Sequence, residues 1–310
     1  MTTAVRVGTR GSLLALTQTR QIVRVLRRAN PGTRFEIVTV KTYGDEYRSM
    51  EIFRKTSIGV FTKELERALL DRRIDLAVHS LKDLPTSLPK GLMLAAVPRR
   101  EDARDVLVTR QRAFLEQLPE RARVGTGSPR RRTQLLLARP DLRISDLRGN
   151  LDTRVNLVLK GRLDAVVVAA AGLKRIRRYT RYVRPIPETV LLPAVGQGSL
   201  ALQCRASDRR VRAVCRAVHD LDSALRVNAE RAFLSRLHGG CRVPAGISTR
   251  RDGRRLSLRA CVLSVARPAK LEVELTGSPT RPENLGRRAA EALLRMGAGA
   301  YLRQARSGAR

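Results

Sequence analysis

Hydrophobic and polar positions in the first eighty residues switch between two periods. "AVRVGT" (4–9) is a short β-type run, and "SLLALTQTRQIVRVLRRAN" places apolar residues at helical spacing until Asn30-Pro31-Gly32 stops it. "RFEIVTVKT" (34–42) alternates as a second strand, "VFTKELERALLDRR" (60–73) is amphipathic, and "IDLAVHS" (74–80) is a strand of buried type. The order β-α-β-α-β predicts a parallel sheet.

A weaker copy follows. "RVGTGSPRRRTQLLLARP" (123–140) repeats strand, Val-Gly-Thr and helix, and "GRLDAVVVAAAG" (161–172) echoes "RRIDLAVHS". Two α/β lobes of related plan are expected, with a ligand cleft between them. The charged segment 97–109 reads as a crossover, and the proline-rich 184–205 as a linker. "DRRVRAVCRAV" and "DSALRVNAERAFLSRL" then read as helices, "AGISTRRDGRRLSLRACVLSV" as a hairpin turning at Asp252-Gly253, "AKLEVELTG" as a strand and "PENLGRRAAEALLRMG" as a helix. The expected domains are 1–98 with about 199–217, then 103–193, then a small α+β domain over 222–310.

Charge changes this picture most. The chain carries 62 Lys+Arg against 28 Asp+Glu, a formal net charge of +34, and eight of the basic residues are lysine. Arginine grips carboxylate or phosphate bidentately, so an anionic partner is implied. Arginine excess can equally reflect a solvated surface. Nucleic acid fits poorly, because aromatics are 3% with no Trp and none interleave with basic runs as stacking platforms. The start "MTTAVRVGTR" has no apolar run behind it, and the longest apolar stretch, from Asp164, is too short for a membrane span, so a soluble cytoplasmic protein is expected. Cys204, Cys215, Cys241 and Cys261 form no CxxC pair and have no histidine at zinc spacing, so no metal is expected.

Both lobes open with Val-Gly-Thr running into a helix, a turn able to cradle an anion. Around these and similar turns stand Arg10 and Ser12, Ser128 with Arg130, Arg131 and Arg132, Arg148 and Arg154 in "LRGNLDTR", and Arg175 after Gly172. They predict a ligand bearing many carboxylates or phosphates. Asp83 in "HSLKDLPTSLP" leaves the end of a buried strand beside Lys82, where it could hold negative charge and still pass a proton; a turn cap is the plainer alternative. His79 and His238 are lone histidines suited to structural hydrogen bonds. In "RLHGGCRVPAG" (236–246), Gly239 and Gly240 leave room beside Cys241, and Arg242 favours its thiolate; a buried structural cysteine is the alternative.

Taken together, "VGTRGS", "HSLKDLP", "VGTGSPRRRTQL", "LRGNLDTR", "AAAGLKR", "LPAVGQG" and "ALRVNAERAFLSRLHGGCRVPAG" resemble the hydroxymethylbilane synthase (porphobilinogen deaminase) family from about residue 5 to the early 260s. The resemblance implies three domains, two of them like type-2 periplasmic binding proteins. It implies a cytoplasmic monomeric transferase that joins four porphobilinogen units with loss of ammonia in tetrapyrrole biosynthesis. Cys241 would hold one dipyrromethane cofactor per chain through a thioether, and Asp83 would be the catalytic carboxylate. Lys82, Ser128, Arg130, Arg131, Arg148 and Arg154 would bind the cofactor, and Arg10, Ser12, Gln18, Arg175 and Gln197 the substrate. Residues 43–60 would form a flap, with Ile58 where many relatives carry lysine; Gln203 and His238 stand where Glu is frequent, and Pro129 is also atypical. A non-enzymatic anion receptor of binding-protein fold would share the lobes and arginines but has no use for Cys241.

Overall fold

In the computed structural model the described residues are 4–41, 62–178, 180–238 and 243–307. They form two compact units, one from residues up to 101 with 199–227, the other from 102–198 with 228 onward.

In the first unit, β1 (Val5–Thr9) feeds α1 (Leu13–Ala29) and β2 (Phe35–Thr39), and α2 (Lys63–Leu70) feeds β3 (Leu76–Ser80). Ser12 starts α1 because its Oγ accepts a hydrogen bond from the Ala15 N–H at 3.3 Å, occupying one of the helix's orphan donors. Ile22, Val23 and Leu26 of α1 pack with Val5, Val7, Leu76 and Val78 of the sheet. The strand order is β2-β1-β3-β10-β4, with β4 at Leu92–Ala96 and β10 at Leu200–Arg205. Strands β1, β2 and β3 are parallel, as their helical crossovers require, whereas β10 runs antiparallel to both its neighbours. Helix α6 (Arg209–Arg216) closes this core with Val211, Val214 and Cys215.

The second unit contains a sheet of the same plan, ordered β7-β6-β8-β5-β9. Its strands are β5 (Asp105–Thr109), β6 (Arg123–Gly125), β7 (Arg143–Ser145), β8 (Ala165–Ala169) and β9 (Val183–Pro185), served by α3 (Pro129–Ala138), α4 (Leu151–Leu159) and α5 (Ala170–Ile176). Strands β6, β7 and β8 are parallel and β5 is the antiparallel member, pairing Asp105 with Ala169. Two expectations are corrected here. Segment 97–109 is more than a charged crossover, since it ends in β5, and 184–205 is more than a linker, since it ends in β10; both strands lie inside their sheets and are almost wholly buried. Five or six apolar-rich residues behind a charged or prolyl run are outweighed when hydrophobicity is judged over a longer window.

The same unit holds an antiparallel sheet β11-β12-β13 (Ala245–Asp252, Arg255–Ser264, Ala269–Gly277), whose first hairpin turns at Gly253 with φ +53°. Its apolar face packs on α8 (Pro282–Leu293) and on the C-terminal part of α7 (Leu221–Arg236), through Ile247, Leu258, Ala260, Phe233, Leu285 and Ala289. Beyond α8 the backbone turns at Gly297, φ +96°, into α9 (Gly299–Ser307). No helix among the described residues is long and apolar enough to cross a membrane.

Candidate active site

In the first unit the candidate side chains gather at the carboxyl ends of adjacent parallel strands, the usual ligand edge of an open α/β sheet. Arg10 and Ser12 follow β1; Lys82 and Asp83 follow β3 on a single 3-10 turn, Leu81–Asp83. That turn is pinned by buried Leu81, whose N–H donates to Ser199 O at 3.0 Å, leaving Lys82 and Asp83 half-buried. Gln18, buried on α1, exchanges two hydrogen bonds with Ser80 Oγ at 3.1 and 3.2 Å, which ties the helix to the strand end two residues before Lys82. Gln18 therefore serves as a brace for this edge.

Behind it runs a buried polar chain. His79 Nε2 lies 2.9 Å from Gln203 Oε1, and Gln203 Nε2 donates to Glu66 Oε1 at 3.1 Å. Burial pushes the His79 pKa down to about 4, against the opposing hydrogen bond of Gln203, so the ring is neutral. Burial likewise raises Glu66, although Gln203 and Lys63 oppose it. The structural role expected for His79 is thus fulfilled by a glutamine on β10, where the amide can serve both neighbours at once.

In the second unit the same edge is basic. Ser128 caps α3, its Oγ accepting from the Arg131 N–H at 3.5 Å, and Pro129 occupies the first helical position, where its missing N–H costs nothing. Arg130 and Arg131 point inward, with side chains only 5% and 7% exposed. Both engage Asp105: Arg130 Nη1 is 2.7 Å from Oδ2, and Arg131 Nη2 is 2.7 Å from Oδ1. Buried Gln197 adds a bond from Nε2 to Asp105 Oδ1 at 2.9 Å and one to Ala103 O at 2.7 Å. Burial opposes ionisation of Asp105, but the two guanidiniums outweigh it and hold the carboxyl far below its usual range. Arg148 and Arg154 flank the start of α4, half-buried, with Arg154 Nε donating to Gly149 O at 2.8 Å. Arg175, on α5, donates to Gly198 O at 2.7 Å.

Two guanidiniums against one carboxylate leave a net positive charge in a nearly dry place, and such a place accepts an anion that can pair with arginine. A ligand that presents carboxylates fits this donor chemistry. Cys241 lies outside the described residues, as do residues 43–60 and Ile58. The described cysteines, Cys204, Cys215 and Cys261, are buried and unpaired with one another; burial pushes their thiols up to about 11, 12 and 12, which makes them poor nucleophiles. His238, exposed, adopts φ +50° at the end of α7.

Asp105 is the residue that sequence reading missed. Its signal was present, an acidic residue opening an apolar strand in "ARDVLVT", since a buried carboxylate demands cationic partners.

Residues 5–213 match the family model described as porphobilinogen deaminase, dipyromethane cofactor binding domain, and residues 224–295 match the porphobilinogen deaminase C-terminal domain. Porphobilinogen deaminase of Moorella thermoacetica is 45% identical over 303 residues, covering 98% of this chain and 97% of its own. That of Syntrophus aciditrophicus is 47% identical over 289 residues, covering 93% and 94%. Among solved structures, the Bordetella pertussis BvgS VFT2 domain aligns with a TM-score of 0.41 and 18% identity over 69% of this chain and 86% of that one. With both family regions matched and such identity held along almost the whole length, the chain belongs to the porphobilinogen deaminase family.

Proposed function

We propose that this chain joins four porphobilinogen molecules head to tail into hydroxymethylbilane, releasing ammonia, and that it does so as a cytoplasmic monomer with one dipyrromethane group held by a thioether to Cys241. When bound, that group supplies the pyrrole carbon to which the first unit is joined. The observation that carries the assignment of roles is the placing of Asp83, Arg10 and Lys82 on one sheet edge, and of the arginines on the matching edge of the second sheet.

Asp83 is the acid-base and charge-stabilising residue. Its carboxyl group hands its proton to the departing amine; the carboxylate left behind accepts hydrogen bonds from pyrrole N–H groups, offsets the positive charge that grows on the substrate as ammonia leaves, and regains the proton that the new carbon–carbon bond displaces. The 3-10 turn keeps that charge fixed beforehand, so little reorganisation is needed when the cation forms. Arg130, Arg131, Arg148 and Arg154, with Lys82 and Ser128, hold the carboxylates of the dipyrromethane group; Arg10, Ser12, Gln18, Arg175 and Gln197 bind the incoming unit. Several arginines are needed because every added pyrrole brings two more carboxylates. The module of β11 to β13 with α7 to α9 carries the cysteine as a third domain.

The test is an intact mass of the full-length chain from a producing host, read with a pyrrole colour reaction. A mass above the polypeptide and a positive colour are expected; a bare polypeptide mass from a competent host overturns the thioether assignment.

A further inference from the structure

Asp105 opens β5 with its side chain fully buried, three hydrogen bonds converging on one carboxylate oxygen and an ion pair at the other. Arg131 reaches Oδ1 with Nε at 3.0 Å and Nη2 at 2.7 Å, Gln197 reaches the same oxygen at 2.9 Å, and Arg130 Nη1 stands 2.7 Å from Oδ2. Each guanidinium is also tied to a carbonyl, Arg130 to Leu192 O at 2.5 Å and Arg131 to Val167 O at 3.0 Å. Two like charges gathered on one carboxylate repel and would otherwise splay apart. The carboxylate between them offsets that repulsion and fixes the plane of the Arg131 fork, which donates to it twice. If Asp105 served charge balance alone, one arginine would suffice. The second leaves one unit of positive charge aligned and waiting.

We propose that Asp105 is a positioning residue: it holds Arg130, Arg131 and Gln197 as a rigid receiver for a pyrrole-borne carboxylate. The inference rests on the reading of Arg130 and Arg131 as ligand-binding. It makes a prediction opposite to that of simple charge. Asp105→Asn adds net positive charge beside an anionic ligand, so charge alone predicts a lower KM for porphobilinogen and complete cofactor attachment. Positioning predicts the reverse.

The experiment compares wild type, Asp105→Asn, Asp105→Glu and Arg131→Gln as full-length chains, reading the fraction that carries the covalent group by intact mass, and KM and kcat of the loaded fraction. For Asp105→Asn we expect a partly loaded chain whose KM rises about tenfold or more while kcat changes less than about threefold, the signature of lost binding rather than lost chemistry. Asp105→Glu keeps the charge but moves the carboxyl by one methylene, and it reads the same quantities if the Asn variant does not fold. Wild-type or improved loading and KM in a folded Asp105 variant overturn the positioning role. If Arg131→Gln is itself indistinguishable from wild type, the ligand assignment fails, and the inference with it. If Arg131→Gln is impaired while both Asp105 variants are normal, only the positioning role falls.

Discussion

His79 Nε2 stands 2.9 Å from Gln203 Oε1, inside a sheet where both residues are buried. A histidine kept neutral in the folded state, with its pKa near 4, takes up a proton later than it does in the unfolded chain, where the usual value is 6.5. The unfolded state therefore binds more protons between those values, and stability is present above pH 6.5 and lost as the pH falls towards 4, by at most about 3 kcal/mol. Glu66, whose pKa is raised by the same burial, works against this slope in the lower part of the window. Asp75, held to about 2 by Arg6 and Arg205 despite its burial, contributes only at lower pH. His79→Gln should flatten the fall in melting temperature between pH 6.5 and 4; an unchanged slope would remove His79 as its source.

Asp83→Asn is isosteric and leaves the 3-10 turn intact, so the chain should fold. If a dipyrromethane group is attached, turnover should still fall by about a hundredfold or more, because the amide can neither pass a proton nor offset a cation. Steady-state assay of the loaded variant checks this, and a rate within a few fold of wild type would count against the role of Asp83.

Cys241→Ala should give a chain with the mass of the polypeptide alone and no pyrrole colour. The buried cysteines cannot substitute, since their thiols are pushed to about 11 and above. A variant that still carries the group covalently would place the anchor elsewhere.

Gly286 on α8 crosses α7 so closely that a Cβ there would lie 2.0 Å from the Ala229 carbonyl oxygen and 2.9 Å from Phe233 N. Alanine is the better helix former by about 1 kcal/mol, but backbone atoms cannot move aside as a flexible side chain can, and overpacking costs about 1 to 3 kcal/mol or more. Gly286→Ala should therefore lower the melting temperature by several degrees, whereas a rise would mean the two helices separate freely.

The strands and helices that alternate cleanly along the chain were legible in it, from β1 to β3 and again through the hairpin of β11 and β12. Strands β5 and β10 were not, because each is five or six residues long and follows a charged or proline-rich run that dominates any wider window. Local pattern also says nothing of direction, so their antiparallel placement inside otherwise parallel edges had no signal. For the candidate site, arginine-rich turns were readable as anion-seeking, but the inward aim of Arg130 and Arg131 depended on Asp105, distant in sequence from both. Gln203 shows the same limit: the sequence marks it only as a position where Glu is frequent, yet it joins two buried ionisable groups across neighbouring elements.

The return of β10 to the first sheet has a consequence for birth on the ribosome. Strand β3, with its apolar "LAVHS", waits for its partner β10 until residues 102–198 have been made. At about 10 residues per second that is on the order of ten seconds during which a sticky, unpaired sheet border faces the crowded cell. Lys82 and the prolines Pro85 and Pro89, which follow that strand directly, then have a second use: charge and proline are the features that discourage a stray strand from docking there first.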